Sequence, residues 1–330
     1  MTAPPPRPHT HKNTSIDSAY HAPVLATEVL ELLHGTSRVL DGTLGGGGHS
    51  LALLDSGITS VVGIDRDPDA LRSATQRLAH YAADGRFHAH LGNYSQLGDL
   101  PPLAREPFDG ILLDLGISSH QIDELERGFT FREGAPLDMR MAKDSATGQS
   151  GAELLNTADE QELSRIFRDY GDEPRSGRLA REIVRRRSTR PFSSSDDLVG
   201  AIRGALGPRT GPGDFARLFQ GIRIAVNDEL AGLERALPAL RDRLLPGGVL
   251  AVIAYHSGED RLVKHAFREW SAACVCPPKQ IMCTCRGRAL GELLTRRAIR
   301  PGADEIARNP RARSARLRAF KKERAWPDDA

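Results

Sequence analysis

The segment Asp41-Gly42-Thr43-Leu44-Gly45-Gly46-Gly47-Gly48-His49 is the first stretch whose residue types and spacing could do chemistry. Glycines let a backbone turn sharply and approach a ligand with no side chain in between. Asp65 closes the next strand-like run, about 20 residues on, where a carboxylate can hold both hydroxyls of a ribose. Asp114 stands near the end of another such run, over 108–115. A glycine loop with an acid after the second strand implies an adenosine cofactor. Which one is an electrostatic question. A pyrophosphate seeks helix N-termini and is repelled by carboxylates. S-adenosylmethionine (SAM) has no phosphate and carries an ammonium and a sulfonium. Asp41, Asp65 and Asp114 at three strand ends therefore favour SAM over a nicotinamide dinucleotide.

The elements that must position these residues can be read from periodicity. Apolar spacing predicts a helix over 24–33. Strands are predicted over 38–41, 60–64, 86–90, 108–115 and 249–254, and helices from residue 50 and over 68–81, with Pro68 at the start as helix N-termini favour. Strand and helix alternate, which predicts a parallel sheet covered on both faces. Residues 116–248 are too many for one crossover helix. Phe215, Leu218, Phe219, Ile222, Val226, Leu230 and Leu233 follow helical spacing, and 174–187 reads as another helix with Leu179 and Ile183 on its apolar side. The expected fold is α/β: a Rossmann-like sheet domain formed by 21–122 and 240–320, with a mostly helical substrate-recognition subdomain inserted at 123–239. Residues 1–20 and 321–330 are expected to be tails. Ligands bind at the carboxyl ends of strands in such sheets, so the insertion is expected to lie over the site.

The 330 residues include 39% hydrophobic and 27% charged positions, which fits a globular chain long enough for two domains. No apolar run approaches the roughly 20 residues of a membrane span. The Pro-, His- and Thr-rich start lacks the apolar core of a signal peptide, and the expectation is a cytoplasmic protein. Net charge is only +2, yet residues 286–324 hold 13 Lys or Arg against 4 Asp or Glu, and residues 165–190 hold 9 against 4. Such patches fit a polyanionic partner. The four cysteines, Cys274, Cys276, Cys283 and Cys285, form two C-x-C pairs, narrower than the usual C-x-x-C of zinc sites. A zinc knuckle and a compact loop packed with thiols both stay open, and no metal ligand is assigned.

Further motifs make the chain recognisable: His21-Ala22-Pro23-Val24-Leu25, Gly63-Ile64-Asp65-Arg66-Asp67-Pro68, Asp114-Leu115-Gly116-Ile117-Ser118-Ser119, Arg127-Gly128-Phe129-Thr130-Phe131, Pro136-Leu137-Asp138-Met139-Arg140-Met141, Tyr170-Gly171-Asp172-Glu173, Arg190-Pro191-Phe192, His256-Ser257 and Arg308-Asn309-Pro310-Arg311. With the glycine loop, and in this order, they resemble the RsmH (MraW) family over residues 21–320. That family methylates N4 of cytidine 1402 in bacterial 16S ribosomal RNA. The resemblance implies a class I SAM-dependent methyltransferase with cofactor contacts at Gly47, Gly48, His49, Asp65, Tyr94, Asp114 and Gln121, and 16S rRNA within the small ribosomal subunit as partner. Three departures fall in or near the region expected to handle substrate. Gly211-Pro212-Gly213-Asp214-Phe215-Ala216-Arg217 stands where the family usually has His-Pro-Ala followed by an Arg. Gly258 stands where the family usually has Leu and is expected to loosen the loop after the fifth strand. Gly221-Ile222 replaces the family's Ala-Leu.

A cytosine amine is a poor nucleophile, because its lone pair is delocalised into the ring. Many amino methyltransferases orient such an amine with an Asp/Asn-Pro-Pro-Tyr loop, which this chain lacks. Asp114 at the equivalent strand end is the best catalytic candidate, with Ser118 or backbone carbonyls beside it. His256 is a second candidate. For RNA, Arg178, Arg181 and Arg185 share one face of the 174–187 helix and are expected to grip phosphates. The competing functions are an amino methyltransferase acting on another nucleic acid or on protein, a nicotinamide-dependent oxidoreductase, and a non-catalytic RNA-binding module.

Overall fold

A computed structural model describes residues 23–142, 148–278, 280 and 282–323. The 1–20 tail, His21 and Ala22 of the first motif, and residues 324–330 lie outside the described residues. In chain order the elements are α1 (Ala26–Leu32), β1 (Arg38–Asp41), α2 (Gly48–Asp55), β2 (Ser60–Asp65), α3 (Pro68–Arg77), α4 (Ala79–Ala83), β3 (Phe87–Leu91), β4 (Phe108–Asp114), α5 (Ser119–Asp123), α6 (Gly151–Thr157), α7 (Glu160–Asp169), α8 (Ser176–Arg187), α9 (Ser195–Leu206), α10 (Pro212–Asn227), α11 (Glu229–Arg243), β5 (Leu244–Ala254), α12 (Ser257–Trp270), β6 (Gly291–Leu293), α13 (Ala303–Arg308) and β7 (Arg316–Lys322). No helix among the described residues is long and apolar enough to cross a membrane.

The seven strands form one sheet in the order β3-β2-β1-β4-β5-β7-β6. β1 to β5 pair in parallel, and β7 runs antiparallel between β5 and β6. This is the Rossmann-like α/β sheet expected from the sequence. Its central strands, such as Ile111 to Leu113 and Leu250 to Ala254, are buried on both faces, which is why they read as unbroken apolar runs. One core joins a sheet face to α1 and α2 through Val29, Leu53 and Leu54. The other joins the opposite face to α11 and α12 through Leu237, Leu240, Val263 and Phe267. A third core, running from Leu137 to Ile222, belongs to the helices of the insertion.

The apolar pattern from Phe215 to Leu233 reads as one helix, but the structure divides it. Asp228 takes φ 51° and ψ 38°, a left-handed conformation that ends α10 and turns the chain into α11. Leu218 and Ile222 then pack in the insertion, while Leu233 packs with Leu237 and Leu240 against the sheet. We therefore place the end of the insertion at Asn227 rather than at residue 239. Both helices carry an apolar stripe, so periodicity alone could not see the break. The 68–81 helix is likewise two, α3 and α4, meeting at the buried Leu78.

The insertion is locked to the sheet by a buried polar junction. Asp67, after β2, caps α3 with one carboxylate oxygen, accepting the Asp69 N–H at 3.0 Å. Its other oxygen accepts Arg127 Nη1 and Gln121 Nε2, each at 2.7 Å. Arg127 also donates to the Met141 carbonyl at 2.8 Å. Asn227 clamps the same segment, accepting the Met141 N–H and donating to the Met139 carbonyl. Gly128, at φ 73°, brings the chain so close that a Cβ there would lie 2.5 Å from the Pro136 carbonyl oxygen. The 127–131 and 136–141 motifs thus serve this junction.

Candidate functional site

Parallel strands deliver their carboxyl ends to one edge of the sheet. There the glycine loop, the ends of β2, β4 and β5, and residues Met141, Gln220 and Arg223 of the insertion enclose a cleft of about 470 Å³. Of the residues implicated from sequence, Gly48, His49, Asp65, Tyr94, Asp114 and Gln121 all line it. Gly47 does not. It precedes α2 at φ 76°, and a Cβ there would press on Ala74 and Leu78 at 3.1–3.2 Å, so it seats the helix start against α3.

Asp65 organises the loop as well as facing the cleft. Its two oxygens accept the backbone N–H groups of Gly45 at 2.7 Å and Asp67 at 2.8 Å. Burial pushes its pKa up to about 6, against the pull of those hydrogen bonds. Each oxygen keeps a lone pair for a hydroxyl donor.

Asp114 ends β4. Its Oδ1 accepts the Tyr255 hydroxyl at 2.8 Å, and its Oδ2 lies 3.6 Å from His49 Nδ1. The other nitrogen of that ring, Nε2, sits 2.9 Å from the Val24 carbonyl, which can only accept, so Nε2 carries a proton. Burial raises the Asp114 pKa above the ordinary carboxylate range, while His49 and the Tyr255 bond oppose the shift. Burial and the Asp114 carboxylate hold the Tyr255 phenol well above its usual value, so it stays a donor.

Asp41 differs from its expectation. It is 1% exposed, accepts Ser50 Oγ at 2.7 Å and the Thr43 N–H at 3.3 Å, and does not line the cleft. It braces the loop from beneath. Gln121 lines the cleft, but its amide is engaged with Asp67 and with the Ser118 N–H, so it positions the 115–118 turn as well. His256 proves to be a helix cap. Its Nδ1 accepts the Gly258 N–H at 3.2 Å and faces that of Glu259 at 3.5 Å, which leaves that nitrogen unsuited to act as a base. Gly258 does not loosen a loop, since it lies in the first turn of α12. A Cβ there would meet Leu230 and His256 at 3.1 Å, so these two already fill the space a larger side chain needs. Gly221 lets α10 lie against the backbone of Gly171, where an alanine Cβ would stand 3.2 Å from the amide nitrogen.

Sequence reasoning missed four residues here. Tyr255 directly precedes the His256-Ser257 motif, and that position was the signal available. Glu259 is buried and accepts the Tyr255 N–H at 2.9 Å, which fixes the turn after β5. Arg223 of the insertion and Glu229 at the start of α11 form a bidentate pair at 2.9 and 3.0 Å beside the cleft. Spacing carries no sign of their partnership, because Asp228 reverses the chain between them.

The basic patches divide. On α8, Arg178, Arg181 and Arg185 are all exposed, and Arg185 is held by Glu182 through bonds of 2.7 and 3.0 Å. α8 contributes no residue to the cleft lining. In the C-terminal run, Arg316 and Arg318 both bind the buried Asp260, while Arg311, which lines the cleft, binds the exposed Asp123.

The donor set fits SAM. Two carboxylates at the ends of β2 and β4 are both destabilised by burial, and a cationic, hydroxyl-bearing ligand relieves that cost. Comparison with known proteins agrees. A protein named ribosomal RNA small subunit methyltransferase H, from Gemmatimonas aurantiaca, is 62% identical over 302 residues, covering 92% of this chain and 95% of its own. One of the same name from Heliobacterium modesticaldum is 46% identical over 312 residues, covering 92% and 98%. Among solved structures, an rRNA methylase from Streptococcus thermophilus is similar over 91% of this chain and 94% of its own, at 13% identity and a TM-score of 0.40, too distant to place residues. The model of the MraW methylase family matches residues 18–323, and the chain belongs to that family of SAM-dependent methyltransferases.

Proposed function

We propose that this chain transfers the methyl group of SAM to the N4 amino group of cytidine 1402 in 16S rRNA of the small ribosomal subunit, in the cytoplasm. The observation that carries the proposal is that Asp65 and Asp114 line one cleft, with the insertion closing its far side. Support for an rRNA substrate comes from relatives that bear a small-subunit rRNA methyltransferase name and align over 92% of this chain.

When bound, SAM supplies an electrophilic methyl on a sulfonium. Asp65 holds the ribose hydroxyls, and the loop of Gly45, Gly46 and Gly48 brings backbone against the ligand with no side chain in the way. Asp114 accepts a hydrogen bond from the cytosine amine and thereby concentrates electron density on its nitrogen. SAM held there would give its methyl to the amine nitrogen, and Asp114 or water would take the proton that the nitrogen sheds. Tyr255 keeps Asp114 aimed into the cleft. Alignment is the main contribution, because the amine needs close in-line approach more than a strong base. Arg178, Arg181 and Arg185 bind the RNA backbone from the insertion.

The test is modification mapping. In a strain lacking the gene, position 1402 should lose its N4-methyl group and regain it on complementation with the wild type but not with Asp114→Ala. Loss of a methyl at another base would replace the substrate assignment. An unchanged map would remove rRNA altogether.

A further inference from the structure

The loop between α12 and β6 has no core of its own. None of its described residues from Ser271 to Leu290 is buried, and Val275 and Met282 are 41% and 77% exposed. It is tied down at its base: the Leu290 N–H donates to the Trp270 carbonyl at 2.7 Å, and Arg286 binds the Glu269 carboxylate at 2.7 Å. A stretch this long with so little packing cannot offset its own ordering entropy, and small units in that position are usually held by a cross-link or a metal.

At the centre of this loop four thiols converge. The sulfurs of Cys274, Cys276, Cys283 and Cys285 all lie within 4.8 Å of one another, and none is in a disulfide. The separations are 3.8 Å for Cys274–Cys283, Cys276–Cys283 and Cys274–Cys285, and 3.5 Å for Cys283–Cys285. A tetrahedral ion with metal–sulfur bonds of about 2.3 Å places its sulfurs about 3.8 Å apart. The Val275 N–H points at Cys285 Sγ at 3.4 Å, a donor that favours a thiolate there. The thiols are exposed or half-buried, so they do not act as small apolar filling.

We propose that Cys274, Cys276, Cys283 and Cys285 bind one structural zinc ion in an all-thiolate tetrahedral site. The two C-x-C pairs act as chelating arms from opposite sides of the loop. Soft sulfur ligands select zinc over magnesium or calcium, and four protein ligands leave no open position for catalysis. Binding displaces the thiol protons to solvent and changes no oxidation state. The ion supplies the interior the loop lacks and holds Arg286 and Arg288 at the entry to β6. None of the loop's described residues lines the SAM cleft, so the site is separate from methyl transfer.

The full chain, purified without chelator, should contain one zinc per molecule by elemental mass spectrometry. The double variant Cys276→Ser, Cys283→Ser should lose at least nine-tenths of it and keep wild-type SAM affinity by calorimetry. Replacement by cobalt(II) should give thiolate charge-transfer and tetrahedral d–d absorption. The proposal is overturned if the wild-type chain carries no zinc and all four thiols react freely with a thiol reagent. It is equally overturned if non-reducing mass spectrometry finds the thiols paired as disulfides, or if the chain holds iron with acid-labile sulfide.

Discussion

The Tyr255 hydroxyl donates to Oδ1 of Asp114 at 2.8 Å, across 141 residues of sequence, and so ties the end of β4 to the turn after β5. The bond favours the ionised carboxylate, which burial disfavours. Tyr255→Phe should therefore raise the Asp114 pKa further. On the proposed role of Asp114 the anion is the active form, so activity should fall as pH drops through that pKa, and the acidic limb of the variant's profile should move to higher pH. Well above that limb the variant should be nearly as active as wild type, whereas Asp114→Ala should lose about 10–100-fold in kcat at every pH. Coincident profiles for Tyr255→Phe and wild type would show that the bond does not govern the reacting carboxylate.

Asp65 sets a second pH dependence. Its pKa in the free protein is about 6, and hydroxyl donors bind best to the ionised form. SAM affinity should be full above pH 7 and weaken as pH falls through about 6, by up to tenfold per unit. Asp65→Ala should cost about 2–4 kcal/mol of binding and abolish that dependence. The variant also frees the Gly45 N–H, so part of the loss is loop order. Calorimetry between pH 5 and 8 on both proteins decides it. A pH-independent wild-type affinity would contradict the assignment.

The Asp67–Arg127 pair joins the sheet to the insertion with side chains 1% and 2% exposed. Removing one partner leaves the other charge buried. Arg127→Met should lose about 3–5 kcal/mol of stability in denaturant titration. Cofactor affinity should drop too, because Asp67 also holds Gln121 beside the cleft. A loss below about 1 kcal/mol would mean that the junction tolerates an open charge.

The α8 arginines can be tested through salt. Arg185 is paired with Glu182, but the guanidinium is exposed, and solvent screening lets such a pair yield readily to a phosphate. Changing Arg178, Arg181 and Arg185 together to Ala should weaken RNA binding and lower the slope of log affinity against log salt by about one unit per lost contact. The methylated base should stay the same. If the slope matches wild type, the arginines are ordinary surface charge, and the C-terminal basic segment is the better candidate for RNA.

The sequence by itself determined the strand–glycine loop–helix unit, Asp65 and Asp114, and the inserted helices. These features are local: a β-branched run, a glycine turn and a helix start lie within a few residues of one another. Parallel pairing then sends every strand end to the same edge, so Asp65 and Asp114 had to share a cleft once the elements were right. Only the tertiary structure decided which acid faces the ligand. Asp41 sits on the same edge as Asp114, yet Ser50 and Thr43 draw it beneath the loop. Tertiary packing alone also showed that Asp228 divides the long helix, that Arg127 reaches Asp67, and that four thiols meet at one point. Each of these rests on one side-chain direction or one left-handed residue, and such choices are made by packing between distant segments, about which residue spacing carries no information.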